Sequence, residues 1–228
     1  VYLSNSTIIE FQQEIGADLI SPLDVITTRG DNRTTASEKW KVTLKRIRQG
    51  MPIANRSTLI GVQQGGRFMD LRKQSLEDLL ELGSKYVALG GLVPFFNKNH
   101  NIEFIGKVIL QARKISPDIP LHLYGGGDPL ELFFYIALGC DIFDSSSFIH
   151  YACYGWYMTP YGALQGEKRT KDSGFSCECP YCRKDWDSLW ENKKILAAHN
   201  LWTILDSVKK ATRLGQEGIW DYLEQTVE

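Results

Sequence analysis

Short apolar runs alternate with amphipathic stretches along most of this chain, and the alternation predicts its elements in order. Ser6 reads as an N-cap, with Ile8, Ile9, Phe11, Gln12 and Ile15 on a helical period and Gly16 as the stop. The run 17–24 reads as a short buried strand ending on Asp24, and 27–35, with Gly30, Asp31 and Asn32, as a polar loop. A helix is predicted over 37–49, its apolar set being Trp40, Val42, Leu44 and Ile47. Residues 58–66 form a strand and turn, 70–82 a helix with Leu71, Leu76, Leu79 and Leu80 on its buried side, and 86–92 a strand. A helix over 102–115 ends at Ser116-Pro117. Residues 120–127 form the next strand, 129–138 a helix, and 140–144 a fifth strand.

Strands that are apolar throughout and separated by helices imply a parallel sheet covered on both faces. About five βα units fit either an open doubly wound sheet or part of a (β/α)8 barrel, and in both the chemistry gathers at the C-terminal strand ends. Those ends carry Asp24, Gln64-Gly65-Gly66, Gly90-Gly91, Gly125-Gly126-Gly127 and Asp144. An amide, two carboxylates and bare backbone suit the edge of a flat, purine-like base. Two carboxylates also suit glycosidic cleavage through a covalent intermediate. As a phosphate loop the three-glycine run fails: it lacks the Lys-Ser/Thr pair, and Asp128 would repel phosphate.

Cys177, Cys179 and Cys182 fall in one turn stiffened by Pro180, and His199 sits in a helical stretch beyond it. Three thiolates and one imidazole form a closed tetrahedral set for zinc, which argues for a structural metal with catalysis elsewhere. The 228 residues carry a net charge of −1, so no global basic field points to nucleic acid. A local patch could: Lys168, Arg169, Lys171, Arg183 and Lys184 interleave with Tyr161, Phe175, Tyr181 and Trp186 around the knuckle. The alternative is a solvated subdomain surface. Cys140 and Cys153 read as small core residues, and His122 as a packed or hydrogen-bonded core histidine. With metal accounting for three of five cysteines, a reducing cytoplasm is the expected location. No apolar run approaches a membrane span, and the first residues lack a signal-peptide pattern.

Taken together, these segments resemble the tRNA-guanine transglycosylases of archaeal (archaeosine) type. The matching stretches are 17–24, 61–66, 90–94, 122–127, 139–145 and the knuckle with His199-Asn200-Leu201. The resemblance implies an α/β fold, a (β/α)8 barrel with an inserted zinc-binding subdomain, here incomplete. Residues 1–160 would be βα units of the barrel, 161–198 the zinc subdomain, and 199–228 a helix returning to the barrel. It implies Asp144 as the nucleophile that attacks the anomeric carbon of a guanosine and expels guanine. Asp24, Gln64, Gly90 and Gly91 would read the base, and Cys177, Cys179, Cys182 and His199 would hold Zn2+. The incoming base would be a 7-deazaguanine, with 7-cyano-7-deazaguanine inserted in the D-arm favoured by the Leu92-Val93-Pro94 and Ser145–Phe148 runs.

One departure stands out. The family's upstream Asp-Ser-Gly motif is absent, and five strands cannot close an eight-stranded barrel. The chain therefore reads as a fragment or as one half of a split enzyme. Its expected partners are tRNA, the incoming base, and either a second copy or a separate N-terminal half. A non-catalytic tRNA-binding or partner subunit of the same fold is the alternative from another class, and a relative acting on DNA is a third reading. An unrelated barrel hydrolase fits worst, because no catalytic-metal set occupies the strand ends.

Overall fold

A computed structural model of the chain describes residues 3–96 and 101–227. The chain forms two compact units: Val1–Tyr124 with Gly139–Phe143, and Gly125–Leu138 with Asp144–Glu228.

The first unit opens with α1 (Asn5–Glu14), capped by Ser4 and not by Ser6. Ser4 has the extended backbone a cap requires, and its Oγ accepts from Thr7 N at 3.1 Å, which leaves Ser6 inside the first turn. Gly16, at φ 80°, ends this segment as expected. β1 is only Leu19–Ile20, so Asp24 lies in the loop beyond it and not on the strand end. Pro22 has no N–H for a ladder, and Asp24 N instead bonds Pro22 O at 3.0 Å. α2 (Arg33–Gly50) starts earlier than predicted because Asn32 Oδ1 accepts from Thr35 N at 2.9 Å. Its buried stripe is Ala36, Trp40, Thr43, Ile47 and Gly50; Val42, expected inside, is exposed. Thr43 takes the inward place because its hydroxyl is needed there, accepting from Val25 N at 2.8 Å.

The predicted strand at 58–66 is two short ladders separated by Ile60. β2 (Thr58–Leu59) pairs in parallel with β1, and β3 (Gly61–Gln63) pairs in parallel with β4 (Val87–Leu89). β4 then pairs in parallel with β5 (Leu121–Tyr124), placing Val87 opposite Leu121 and Ala88 opposite His122. With β6 (Ile142–Asp144) the sheet runs β3-β4-β5-β6. The α/β class and the parallel sheet are as the pattern predicted. Every residue of β3 and β4 is buried. On one face Ile60, Val62, Tyr86 and Ala88 cluster with Tyr124 and Ile142. α3 (Met69–Glu81) packs on β3 and on α5 (Ile102–Ile115), bringing in Leu76, Leu79, Ile105, Val108 and Ile109, all fully buried. The short α4 (Val93–Phe96) joins β4 to the segment before α5. His122 is partly buried and in a polar contact, its Nδ1 3.1 Å from Tyr86 Oη.

In the second unit, α6 (Pro129–Ala137) and α7 (Ser147–Cys153) pack against α11 (Lys193–Val227), which breaks at Gly215 (φ 65°, ψ 179°). Phe133, Ala211, Ile219 and Leu223 form the buried seam with α6. Cys140 is buried in the first unit as expected, but Cys153 is exposed at the end of α7, where its carbonyl accepts from Lys193 Nζ at 2.7 Å. The sequence pattern did not predict the antiparallel hairpin of β7 (Trp156–Thr159) and β8 (Gly162–Gln165). Three short helices follow: α8 (Glu167–Asp172), α9 (Pro180–Lys184) and α10 (Ser188–Glu191). Among the described residues no helix is long and apolar enough to cross a membrane.

Candidate active site and metal centre

In the first unit the structure brings together four predicted residues, Asp24, Gln64, Gly90 and Gly91, around one amide. Gln64 directly follows β3 and is fully buried. Its Nε2 donates to Asp24 Oδ2 at 2.7 Å. Its Oε1 accepts twice from Thr27, from N at 2.9 Å and from Oγ1 at 2.7 Å. Both lone pairs of the carbonyl oxygen are thus occupied, and one Nε2 hydrogen remains. Gln64 therefore orients Asp24, whatever else it contacts. Asp24 is half-buried, and its pKa is raised above 3.8 by burial, which outweighs the Gln64 hydrogen bond and the Arg46 charge.

The two glycines make room for this arrangement. A Cβ on Gly90 would sit 2.7 Å from Gln64 Nε2. One on Gly91, whose φ is +66°, would sit 2.8 Å from Thr27 O and 3.0 Å from Gln64 Oε1. Thr27 completes the lattice by accepting from Gly66 N at 2.8 Å through Oγ1, and Ser75 Oγ accepts from Gln64 N at 3.0 Å. Sequence reasoning missed Thr27, Ser75 and Arg72. Arg72 and Ser75 share the buried stripe of α3 with Leu76 and Leu79, and a charged residue on that stripe was the available signal.

Asp144, the last residue of β6, is exposed and belongs to the second unit. Its Oδ1 accepts from Gly125 N at 3.4 Å. The segment after it is tied to the glycine run: Ser147 Oγ donates to Gly127 O at 3.0 Å and accepts from Ser145 Oγ at 2.8 Å. A side chain on Gly127 would collide with Ser145, so the glycine lets the loop bearing the carboxylate close down on it.

Also in the second unit, Cys177, Cys179, Cys182 and His199 present four ligand atoms within 4.8 Å of one another. The sulfurs of Cys179 and Cys182 lie 3.4 Å from His199 Nδ1, and that of Cys177 lies at 3.8 Å. A tetrahedron with Zn–S and Zn–N bonds of ordinary length has S···N edges of about 3.6 Å, close to the three S···N distances here. His199 Nε2 lies 2.9 Å from Met158 O; donating its proton there leaves Nδ1 as the lone pair facing the sulfurs. The ring stacks on Tyr157 at 3.8 Å between centroids. Cys179 N and Cys182 N point at the sulfurs of Cys177 and Cys179, at 3.4 and 3.3 Å. The hydrogen bond from the neighbouring Cys182 thiol, helped by His199 and opposed by burial, holds the Cys177 thiol below its ordinary value. Burial opposes charge on His199, but the Cys177 and Cys179 contacts outweigh it and carry the ring up to about 9. Ligation by a metal dication requires the sulfurs and Nδ1 to be free of protons, so binding releases whatever protons the empty cluster holds.

The basic and aromatic residues near the knuckle divide. Phe175 and Trp186 pack on Tyr157 and serve the core, whereas Tyr161 and Tyr181 are exposed. Lys171 bonds Glu167, and Arg183 lies 2.8 Å from Glu178; Lys168, Arg169 and Lys184 are exposed.

A family model described as queuine tRNA-ribosyltransferase matches residues 1–227. The tRNA-guanine(15) transglycosylase of Pyrococcus furiosus is 32% identical over 233 residues, which cover 99% of this chain and 39% of that protein. Its counterpart in Methanopyrus kandleri is 32% identical, over 98% of this chain and 50% of that protein. That of Archaeoglobus fulgidus is 31% identical, over 100% and 48%. The chain spans half or less of the length of these three relatives. The family match runs through the Asp24–Gln64 lattice, the Asp144 strand end and the Cys3His cluster alike, and on that match the chain belongs to the queuine tRNA-ribosyltransferase family.

Proposed function

We propose that this chain carries the base-exchange chemistry of a tRNA-guanine transglycosylase. In this reading Asp144 attacks C1′ of a target guanosine. The C1′–N9 bond breaks, and guanine leaves with the electron pair and takes up a proton. The tRNA stays bound through a carboxylate ester to the ribose. N9 of the incoming base then displaces the carboxylate and gives up its proton, so two displacements at one carbon retain configuration. The single observation that carries this reading is the exposed Asp144 carboxylate ending a parallel strand, held by Gly125 N–H, in a chain of this family.

Asp24, oriented by Gln64, would accept from the N–H groups of a guanine-type base, and the Gly90-Gly91 backbone would meet its edge. The relatives' printed names support guanine in tRNA as the outgoing base. The incoming base in this reading is 7-cyano-7-deazaguanine, and the position lies in the D-arm. The metal would be Zn2+, held by Cys177, Cys179, Cys182 and His199. When bound, it cross-links the knuckle to α11, because four protein ligands close its tetrahedron. Exposed Lys168, Arg169, Lys184, Tyr161 and Tyr181 would face the tRNA. Residues 1–160 and 199–228 would contribute to a (β/α)8 barrel, with 161–198 as its zinc subdomain, in a cytoplasmic enzyme. The remaining strands would come from a longer chain, a second copy or a separate N-terminal half.

The test is exchange of labelled guanine into unmodified archaeal tRNA, using the longest natural reading frame that contains this segment. Asp144→Asn should lower exchange by about a thousandfold or more while tRNA binding persists. Exchange that survives the substitution removes Asp144 from the nucleophile role. A wild-type protein that binds tRNA without exchanging guanine identifies a non-catalytic subunit.

A further inference from the structure

Arg72 is fully buried in the first unit. A cation in that position is costly unless protein dipoles replace its water, and here backbone and amide oxygens do so. Nε donates to Gly66 O at 2.7 Å, and Nη1 and Nη2 both donate to Gly90 O at 3.2 Å. Nη1 also reaches Gln63 Oε1 at 3.3 Å, while Gln63 Nε2 donates to Arg72 O at 3.0 Å. The guanidinium lies 5.8 Å from the Phe104 ring centroid. Gly65 lets the turn lie this close, since a Cβ there would be 2.8 Å from Arg72 N. A planar fork of five donors can span two separate carbonyls in a way a Lys ammonium cannot.

The two carbonyls lie in the turns after β3 and β4, which also carry Gln64 and Gly91. In a planar trans peptide the C=O and the following N–H point in opposite directions. A Gly90 carbonyl drawn inward to Arg72 therefore sends Gly91 N–H away from the buried guanidinium, and the Gly66 carbonyl does the same for Arg67 N–H. Glycine peptides rotate more easily than others, so the fork adds a restraint that these two planes would otherwise lack.

We propose that Arg72 is a positioning residue for base recognition: it fixes the Gly66 and Gly90 peptide planes so that Gly91 N–H is presented as a donor to an acceptor on the base edge. This rests on the base-exchange reading above and names what enforces its geometry. Misaiming one donor by about an ångström lowers use of the base by roughly 10–100-fold. The effect falls on a base with a 6-carbonyl and spares one with a 6-amine, which offers that donor no acceptor.

The experiment measures kcat and KM for guanine and KM for tRNA in the longest natural chain, with 2,6-diaminopurine as competitor. Arg72→Lys should raise KM for guanine by roughly 10–100-fold, leave KM for tRNA unchanged, and weaken the preference for guanine over 2,6-diaminopurine. A KM for guanine within twofold of wild type overturns the proposal. So does a kcat that falls with the folded fraction at unchanged KM, which is what a purely structural residue would produce. Should Arg72→Lys fail to fold, Gln63→Glu supplies the same reading. Its carboxylate draws Nη1 off Gly90 O, so KM for guanine should rise there too, and an unchanged KM refutes the proposal. If the wild-type protein neither exchanges nor binds guanine, the base-exchange reading itself falls and takes this inference with it. That result appears in the unsubstituted arm and is therefore distinguishable from the others.

Discussion

Gly91→Ala is the substitution on which the structure makes its most quantitative statement. The residue has φ +66°, a left-handed backbone that costs an ordinary L-residue roughly 1–2 kcal/mol. Its added methyl would also stand 2.8 Å from Thr27 O, 2.9 Å from Thr27 Oγ1 and 3.0 Å from Gln64 Oε1, all closer than ordinary contact. Two of those three atoms belong to the Thr27–Gln64 hydrogen bond itself, so neither can retreat without breaking it. Overpacking of this kind adds about 1–3 kcal/mol, for a total near 2–5 kcal/mol. Gly16 supplies the control: at φ +80° it is equally left-handed, but nothing lies within 4 Å of the place its added methyl would take. Gly16→Ala should therefore cost only the backbone portion, about 1–2 kcal/mol. Urea denaturation of both variants, with equal m-values checked first, reads the difference directly. Equal destabilisation would refute the claim that close approach to Thr27 and Gln64, and not left-handed geometry alone, demands glycine at 91.

Thr27→Val keeps the shape but removes the hydroxyl that bonds Gln64 Oε1 and Gly66 N; it should destabilise by about 1–3 kcal/mol in the same assay, and a neutral result would mean those groups find other partners. Burial raises the Asp24 pKa in the folded state, so the native protein binds that proton more tightly than the unfolded chain, and this group's contribution to stability is lost as pH rises from 3.8 through the folded value. Asp24→Asn should accordingly gain stability relative to wild type across that window, and urea midpoints with the opposite trend would contradict the burial argument. Metal analysis should find one zinc per chain in wild type and none in Cys179→Ser, with chelation of the wild type lowering the thermal transition of the second unit; a transition indifferent to chelation would mean that the cluster holds no structural ion.

Local chemistry determined much of this protein in advance of any fold. Glycine punctuation, apolar runs and helical periods marked five strands and the helices between them, because chain reversal and burial periodicity are properties of short segments. The knuckle was equally legible: Cys177, Cys179 and Cys182 are close in sequence, so their convergence on a common point follows from one turn. Only the tertiary structure decided how Gln64 is used. Its amide was expected to read a base; the structure adds that both lone pairs of its oxygen face Thr27, thirty-seven positions away in sequence, and that its nitrogen holds Asp24. The place of Arg72 on the apolar stripe of α3 was visible in the sequence, but the partners that let a charge be buried there were not. Arg72 is buried because Gly66 and Gly90 turn their carbonyls toward it. The inward place of Thr43 over Val42 has the same origin, a hydrogen bond to the distant Val25 N–H. Polar groups inside a protein go where partners await them, and those partners are set by packing between segments that no local pattern encodes.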